Sequence, residues 1–134
     1  MVTLRALLLL LLLALPARAD SLRLIVPEMR PVVGEMIPIT IRGEYSGQIT
    51  LEKLIFPDSA AYDWIQTARD RWADERVEGL PYRVFERRIA VFPRRPGTLT
   101  IGPVTHQLTK AQGMTRPVFD IVAPPVTLAV TPYP

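Results

Sequence analysis

Few residues in this chain have the types and spacing that catalysis requires. There is one histidine, His106, and no cysteine in 134 residues, so neither an ordinary zinc site nor a Cys-His pair can be assembled from them. A nucleophile activated by His106 would have to be Ser21, Ser46 or Ser59, and none stands in the Gly-x-Ser-x-Gly setting that exposes a serine on a strand-to-helix turn. In Val104-Thr105-His106-Gln107-Leu108, strand alternation puts the imidazole on the face opposite Thr105 and Gln107. The expectation there is a packed or solvated strand histidine, with hydrolase chemistry as the competing reading. Gly43, Gly47, Gly79, Gly97, Gly102 and Gly113 each stand singly, at expected turns or strand ends, so no glycine-rich loop is available to cradle phosphates. The reading is a chain without enzyme activity, cofactor or metal.

Binding has more to work with. Arg69-Asp70-Arg71 followed by Asp74-Glu75-Arg76 alternates in sign beside Trp64 and Trp72. Such a run is either a solvated, self-paired face or a docking surface; on the second reading Trp64, Arg69, Arg71, Trp72 and Arg76 are the candidate partner-binding residues. A ligand-binding alternative gathers Tyr62, Trp64, Trp72 and Tyr82 into an aromatic cleft for a carbohydrate or peptide, against the plainer reading of core aromatics. Glu86-Arg87-Arg88 and Arg94-Arg95 make a basic stripe around an expected hairpin. Acidic residues are interleaved throughout, which argues against a nucleic-acid partner.

These residues must be placed by a small domain, whose size is obscured by the N-terminus. Arg5 is a short positive region, Ala6 to Leu15 an unbroken apolar run, Pro16 a breaker, and Ala17-Arg18-Ala19 a small-x-small cleavage pattern. Residues 1–19 therefore read as a signal peptide cleaved after Ala19. Ten apolar residues rise only about 15 Å as a helix, roughly half a bilayer core. Export to the periplasm or cell envelope is the resulting expectation. Residues 20–134 are left as one domain of 115 residues, with 14 Lys and Arg against 13 Asp and Glu. That near-neutral balance removes most of the meaning from the basic pI of the whole chain. No cysteine follows the leader to carry a lipid or a disulfide, so burial alone must hold the domain together.

Proline punctuates this domain, with 13 spread from Pro27 to Pro134, and cuts it into runs too short for a helical bundle. Between the breaks, β-branched and aromatic residues recur at period two. Ile37, Ile39 and Ile41 face one way and Pro38, Thr40 and Arg42 the other, with Pro38 marking an edge or a bulge. Further strands are expected at Ser21 to Val26, Gln48 to Phe56, Arg83 to Phe92, Thr98 to Ile101, Val104 to Thr109, Val118 to Val122 and Val126 to Val130. In the longest, Phe85, Arg87, Ile89 and Val91 form the expected core face. Pro93-Arg94-Arg95-Pro96-Gly97 reads as a tight reversal, with Gly97 free to take a positive φ. The fold class is all-β, an immunoglobulin-like β-sandwich of about seven to nine strands.

The stretch from Ser59 to Arg76 is ambiguous. Ser59 as N-cap, Ala61, Trp64/Ile65, Ala68 and Trp72 at helical spacing, and Gly79 as a stop suggest a helix. Strands over Ala61 to Ala68 and Arg71 to Val77 are the rival reading, because Tyr62, Trp64 and Trp72 also favour strands.

The run from Phe85 to Pro103, a long strand ending in Pro93, basic residues, Gly97 and then Thr98-Leu99-Thr100-Ile101-Gly102-Pro103, resembles the hallmark of the BatD family of oxygen-tolerance (aerotolerance) proteins. The leader, the strand Val33-Gly34-Glu35-x-Ile37-Pro38-Ile39-Thr40-Ile41 and the closing Pro125-Val126-Thr127-Leu128-Ala129-Val130-Thr131-Pro132 agree with it. The resemblance covers roughly Leu22 to Pro132 and corresponds to an N-terminal immunoglobulin-like domain of that family. It implies an exported, non-catalytic module in a membrane-associated stress assembly, with von Willebrand A-domain membrane proteins and a MoxR-type ATPase system as partners. It also favours strands over a helix for residues 59–76. Members continue into further β-domains and a membrane span. This chain therefore reads as a short stand-alone relative or as part of a longer frame, associated with the membrane only indirectly.

Overall fold

The computed structural model describes residues 19–134; the expected leader lies outside the described residues except for Ala19. The described chain is all-β, with no helix. Its ten strands are β1 (Ser21–Ile25), β2 (Ile37–Tyr45), β3 (Gln48–Ile55), β4 (Tyr62–Gln66), β5 (Arg71–Val77), β6 (Leu80–Pro93), β7 (Gly97–Ile101), β8 (Val104–Ala111), β9 (Val118–Ala123) and β10 (Val126–Val130). This is one strand more than the expected upper number, because residues 59–76 supply two strands and no helix.

One layer of the sandwich is a five-stranded antiparallel sheet built around β6. On one side β6 pairs with β2 from Arg83 to Val91; on the other it pairs with β5 through Leu80–Glu86 and with β4 through Ile89–Pro93. β4 and β5 thus lie end to end along a single neighbour, and Thr67 N–H donates to the Arg88 carbonyl at 3.0 Å in the gap between them. β1 pairs with β2 and ends opposite Thr40. At Pro38 β2 therefore has only β6 beside it, which fits a residue with no N–H to donate.

The facing layer is a ribbon bent in the middle. β8 pairs with β9 and β7 with β10, and both arms break together at Gly102-Pro103 and Pro124-Pro125. The Gly102-Pro103 peptide is cis. β3 extends this layer by pairing with β8. The segment after Pro93 differs from the expected hairpin: β7 pairs with β10 and not with β6, so Arg94-Arg95-Pro96 carries the chain from one layer to the other. Gly97 does take a positive φ, of 107°.

The core forms where the two inner faces meet. Ile37, Ile39, Ile41, Phe85, Ile89 and Val91 from the first layer bury against Leu99, Ile101, Val104, Leu108, Ala123 and Val130 from the second. Those six residues of β2 and β6 are the ones that the period-two pattern assigns to the core. Arg87, on the same face of β6, is only 19% exposed and is neutralised by a bidentate pair with Asp70, at 2.8 and 2.7 Å. Gly43 departs from its expected place at a turn: it is buried inside β2. A two-residue turn at Glu78-Gly79 joins β5 to β6. Both residues have positive φ, 52° and 79°, as a type I′ hairpin requires.

Candidate functional site

The sandwich is open along one flank, where β3 of one layer and β5 of the other are edge strands with a single partner each. A cleft of about 750 Å³ lies there, lined by β3 from Gly47 to Glu52 and by Trp72, Asp74 and Arg83. A smaller hollow of about 360 Å³ shares Gly47, Asp74 and Arg83 with it and continues past Tyr45, Pro81 and Tyr82. β3 carries a bulge at Thr50, between the pairs Ile49↔Lys110 and Leu51↔Thr109. The extra residue restores the alternation that points Glu52 inward, opposite Leu108.

Glu52 reaches from the cleft to a buried polar chain. Its Oε2 lies 2.5 Å from His106 Nε2, and His106 Nδ1 lies 2.6 Å from the Tyr45 hydroxyl. A carboxylate oxygen accepts, so Nε2–H donates to Glu52 and Nδ1 accepts from Tyr45 O–H. His106 and Tyr45 are both 0% exposed. The imidazole is walled by Phe85, Tyr45 and Trp72, with ring centroids 4.6, 5.4 and 5.9 Å away. Burial pushes the His106 pKa below its ordinary value, against the hydrogen bond to Glu52 that raises it. Burial likewise pushes the Tyr45 hydroxyl well above its usual range, with Asp20 and Glu52 adding to the shift. Both groups are neutral near pH 7. Tyr45 is thus no nucleophile, and His106 has both nitrogens committed. The chain fixes the rim of the cleft, because Trp72 packs on Phe85 at 4.9 Å and on Tyr45 at 6.2 Å.

The rim itself is polar and accessible. Arg83 sits over the Trp72 ring, 5.7 Å from its centroid, and pairs with Asp74 at 3.4 Å. Each edge strand presents a row of backbone N–H and C=O groups with no ladder partner among the described residues. The cleft can therefore offer main-chain hydrogen bonds on both sides, an indole face, and the charges of Glu52, Asp74 and Arg83.

The five sequence-derived candidates do not share one surface. Trp72 belongs to the cleft. Arg71 points from the opposite face of β5, where it lies 3.9 Å from Glu75 and 3.7 Å from Glu86. Arg42 completes that cluster through Glu44, Glu75 and Glu86 at 3.2, 3.2 and 2.7 Å, a self-compensated lattice. Arg69 is exposed in the break between β4 and β5. Arg76 is exposed by the hairpin, donates to the Gly79 carbonyl at 2.6 Å, and lines the smaller hollow that continues from the cleft, so it and Trp72 are the two candidates brought to this flank. Trp64 packs on Phe56 at 4.8 Å and donates to Asp58 at 3.3 Å. It lies opposite Val91 while Trp72 lies opposite Phe85, six residues or about 20 Å along β6. Tyr62 is with Trp64 at that far end, 6.1 Å from Phe56, so the four-aromatic cleft is divided between two places.

Glu52, Asp74, Arg83 and Tyr45 were not among the expected site residues. The one available signal was a glutamate breaking the apolar alternation of an expected strand. Among the described residues no three His, Asp or Glu side chains are grouped so as to hold a metal ion, and no helix is long and apolar enough to cross a membrane. No protein-family model, no curated protein and no solved structure matches the chain.

Proposed function

We propose that this chain is a non-catalytic, exported interaction module that takes an extended polypeptide segment of a partner into the β3/β5 cleft. The observation that carries the reading is the pair of unpartnered sheet edges flanking a cleft with an indole and three charged side chains on its rim. An extended segment satisfies such edges by adding a strand, and alternate side chains then meet the pockets beneath. β5 is the better edge, because the bulge at Thr50 interrupts β3. The buried His106 supports a binding role over a catalytic one, since both its nitrogens are used in holding the cleft wall. The resemblance to the BatD family supplies the setting: an envelope assembly with von Willebrand A-domain membrane proteins and a MoxR-type ATPase, engaged in oxygen or stress tolerance.

Because the chain has no cysteine, single cysteines can carry a photo-crosslinker without background. Thr50→Cys and Asp74→Cys, labelled on the purified full chain and irradiated in an envelope extract of its native cells, are expected to crosslink one envelope protein in common, while Arg23→Cys on β1 does not. Equal labelling from all three positions, or no product from the two cleft positions, overturns the proposal.

A further inference from the structure

The outward face of the β3, β8 and β9 sheet carries a pattern that strand register alone specifies. Leu51, Thr109 and Val118 form one row across the three strands, Lys53, Gln107 and Asp120 the next, and Ile55, Thr105 and Val122 the third. The four corners are apolar and exposed: Leu51 69%, Ile55 41%, Val118 61% and Val122 53%. They account for four of the ten large hydrophobic side chains exposed among the described residues, and they are brought onto one face from two strands. In the middle row Lys53 and Asp120 stand at opposite ends, two strand spacings or about 9.5 Å apart, with Gln107 between them. Neither has an ion-pair partner among the described residues.

We infer that this face pairs with the same face of a second copy, about a twofold axis running along β8. That operation lays β3 of each copy over β9 of the other and keeps each row over itself. Lys53 then meets Asp120 twice, Leu51 meets Val118, Ile55 meets Val122, and Gln107, Thr105 and Thr109 meet their own counterparts on the axis. The alternative axis, across the strands, sets Lys53 on Lys53, Asp120 on Asp120 and Leu51 on Ile55, and the like charges reject it. Aligned packing of two sheets, within about 30° and about 10 Å apart, keeps the rows opposed and lets a lysine reach the facing carboxylate. An isologous contact is self-limiting and closes at the dimer. The face is small, a patch of about 15 Å by 15 Å from strand spacings, well below the roughly 800 Å² per partner of a stable complex. The dimer is accordingly a weak one, populated at high protein concentration or where copies are held together. The face lies on the outside of its layer and shares only Leu51 with the lining of the β3/β5 cleft, so the tests that decide it are made at Lys53, Asp120 and Val118, away from that cleft.

Sedimentation velocity of protein purified from cells expressing the full chain, from about 10 μM to 1 mM, tests it. The expected result is a monomer-dimer equilibrium that weakens at 0.5 M salt. Lys53→Asp and Asp120→Lys each shift the midpoint to at least tenfold higher concentration, and combining the two charge reversals restores it. Val118→Glu abolishes association while leaving the thermal midpoint of the monomer within a few degrees. A chain monomeric throughout, a dimer indifferent to the single reversals, or a double reversal that fails to rescue overturns the inference. A monomer that instead binds lipid vesicles through this face overturns it equally.

Discussion

The ring of Tyr45 occupies the space that a side chain at Gly43 would need. A Cβ built on Gly43 falls 2.3 Å from both the ring carbon and the hydroxyl oxygen of Tyr45, two residues further along the same face of β2. The ring can reach His106 only by crossing that space. Gly43→Ala is expected to destabilise the domain by about 1–3 kcal/mol through overpacking. It should also break the Tyr45 to His106 hydrogen bond, so a double-mutant cycle with Tyr45→Phe is non-additive. Urea denaturation of the four proteins measures both effects.

Tyr45→Phe removes only the hydroxyl and leaves His106 Nδ1 buried without a donor. The expected cost is about 1–3 kcal/mol, the penalty of an unsatisfied buried polar atom. A change in Trp72 emission is expected alongside, because the indole packs on both rings.

Stability should fall as the solution is acidified through the histidine range. His106 has a folded-state pKa below its ordinary 6.5 because it is buried. Between those values the unfolded chain takes up a proton that the folded chain refuses. Unfolding free energy therefore drops as pH falls below about 6.5, with a limiting slope near 1.4 kcal/mol per pH unit, and levels off below the folded pKa. Above pH 7.5 both states are neutral at this site and its contribution is flat. Thermal melts from pH 8 to 5 are expected to show this dependence in the native chain and to lose it in His106→Gln.

Lys110 is 7% exposed, and its ammonium is paired with Asp20, which also accepts from the Ser46 backbone at 2.9 Å. Asp20→Ala leaves a buried cation with, among the contacts of the described residues, the Phe119 ring 5.2 Å away to face it. The expected loss is about 3 kcal/mol. Lys110→Met in the same background should recover most of it, as judged from denaturant midpoints.

At Glu78 the left-handed φ of 52° is adopted by a residue that disfavours it. Glu78→Asn, which creates the Asn-Gly pair preferred in such turns, is expected to stabilise the chain by about 0.5–1 kcal/mol in denaturant unfolding.

Runs of β-branched and aromatic residues located β1 to β3 and β6 to β10 within a few residues, although burial alternates in β1, β2, β8 and β9 but not in β6, which buries Val84 and Ala90 beside Phe85, Ile89 and Val91, nor in β3, which is mostly exposed. Residues 59–76 imitated a helix for a specific reason. β4 and β5 are short, and the four-residue gap between them shifts the phase, so Trp64, Ala68 and Trp72 fall four apart by accident of that gap. The sheet decides the matter, since β6 is fourteen residues long and its second edge needs both strands. The site was less legible. Tyr45, Glu52 and His106 are 54 to 61 positions apart in their contacts, and only the pairing of β3 with β8 and the facing of the two layers bring them together. Trp72 was recognisable as an aromatic in a charged run, but nothing local told which side of β5 it would take.

The position of β6 also has a consequence for the order of events at synthesis. β2 precedes β6 by more than thirty residues, and until Ile89 and Val91 have been made it can pair with β1 alone, which reaches no further than Thr40. At about 5–20 residues per second, the interval between completing Tyr45 and completing Pro93 is roughly 2–10 s. Throughout it an apolar strand waits beside its first neighbour alone. The two-residue β5–β6 turn sets Val77 opposite Leu80, so pairing with β5 closes a much shorter loop than pairing with β2. Residues 37–45 are therefore the apolar stretch that stays longest without its main neighbour.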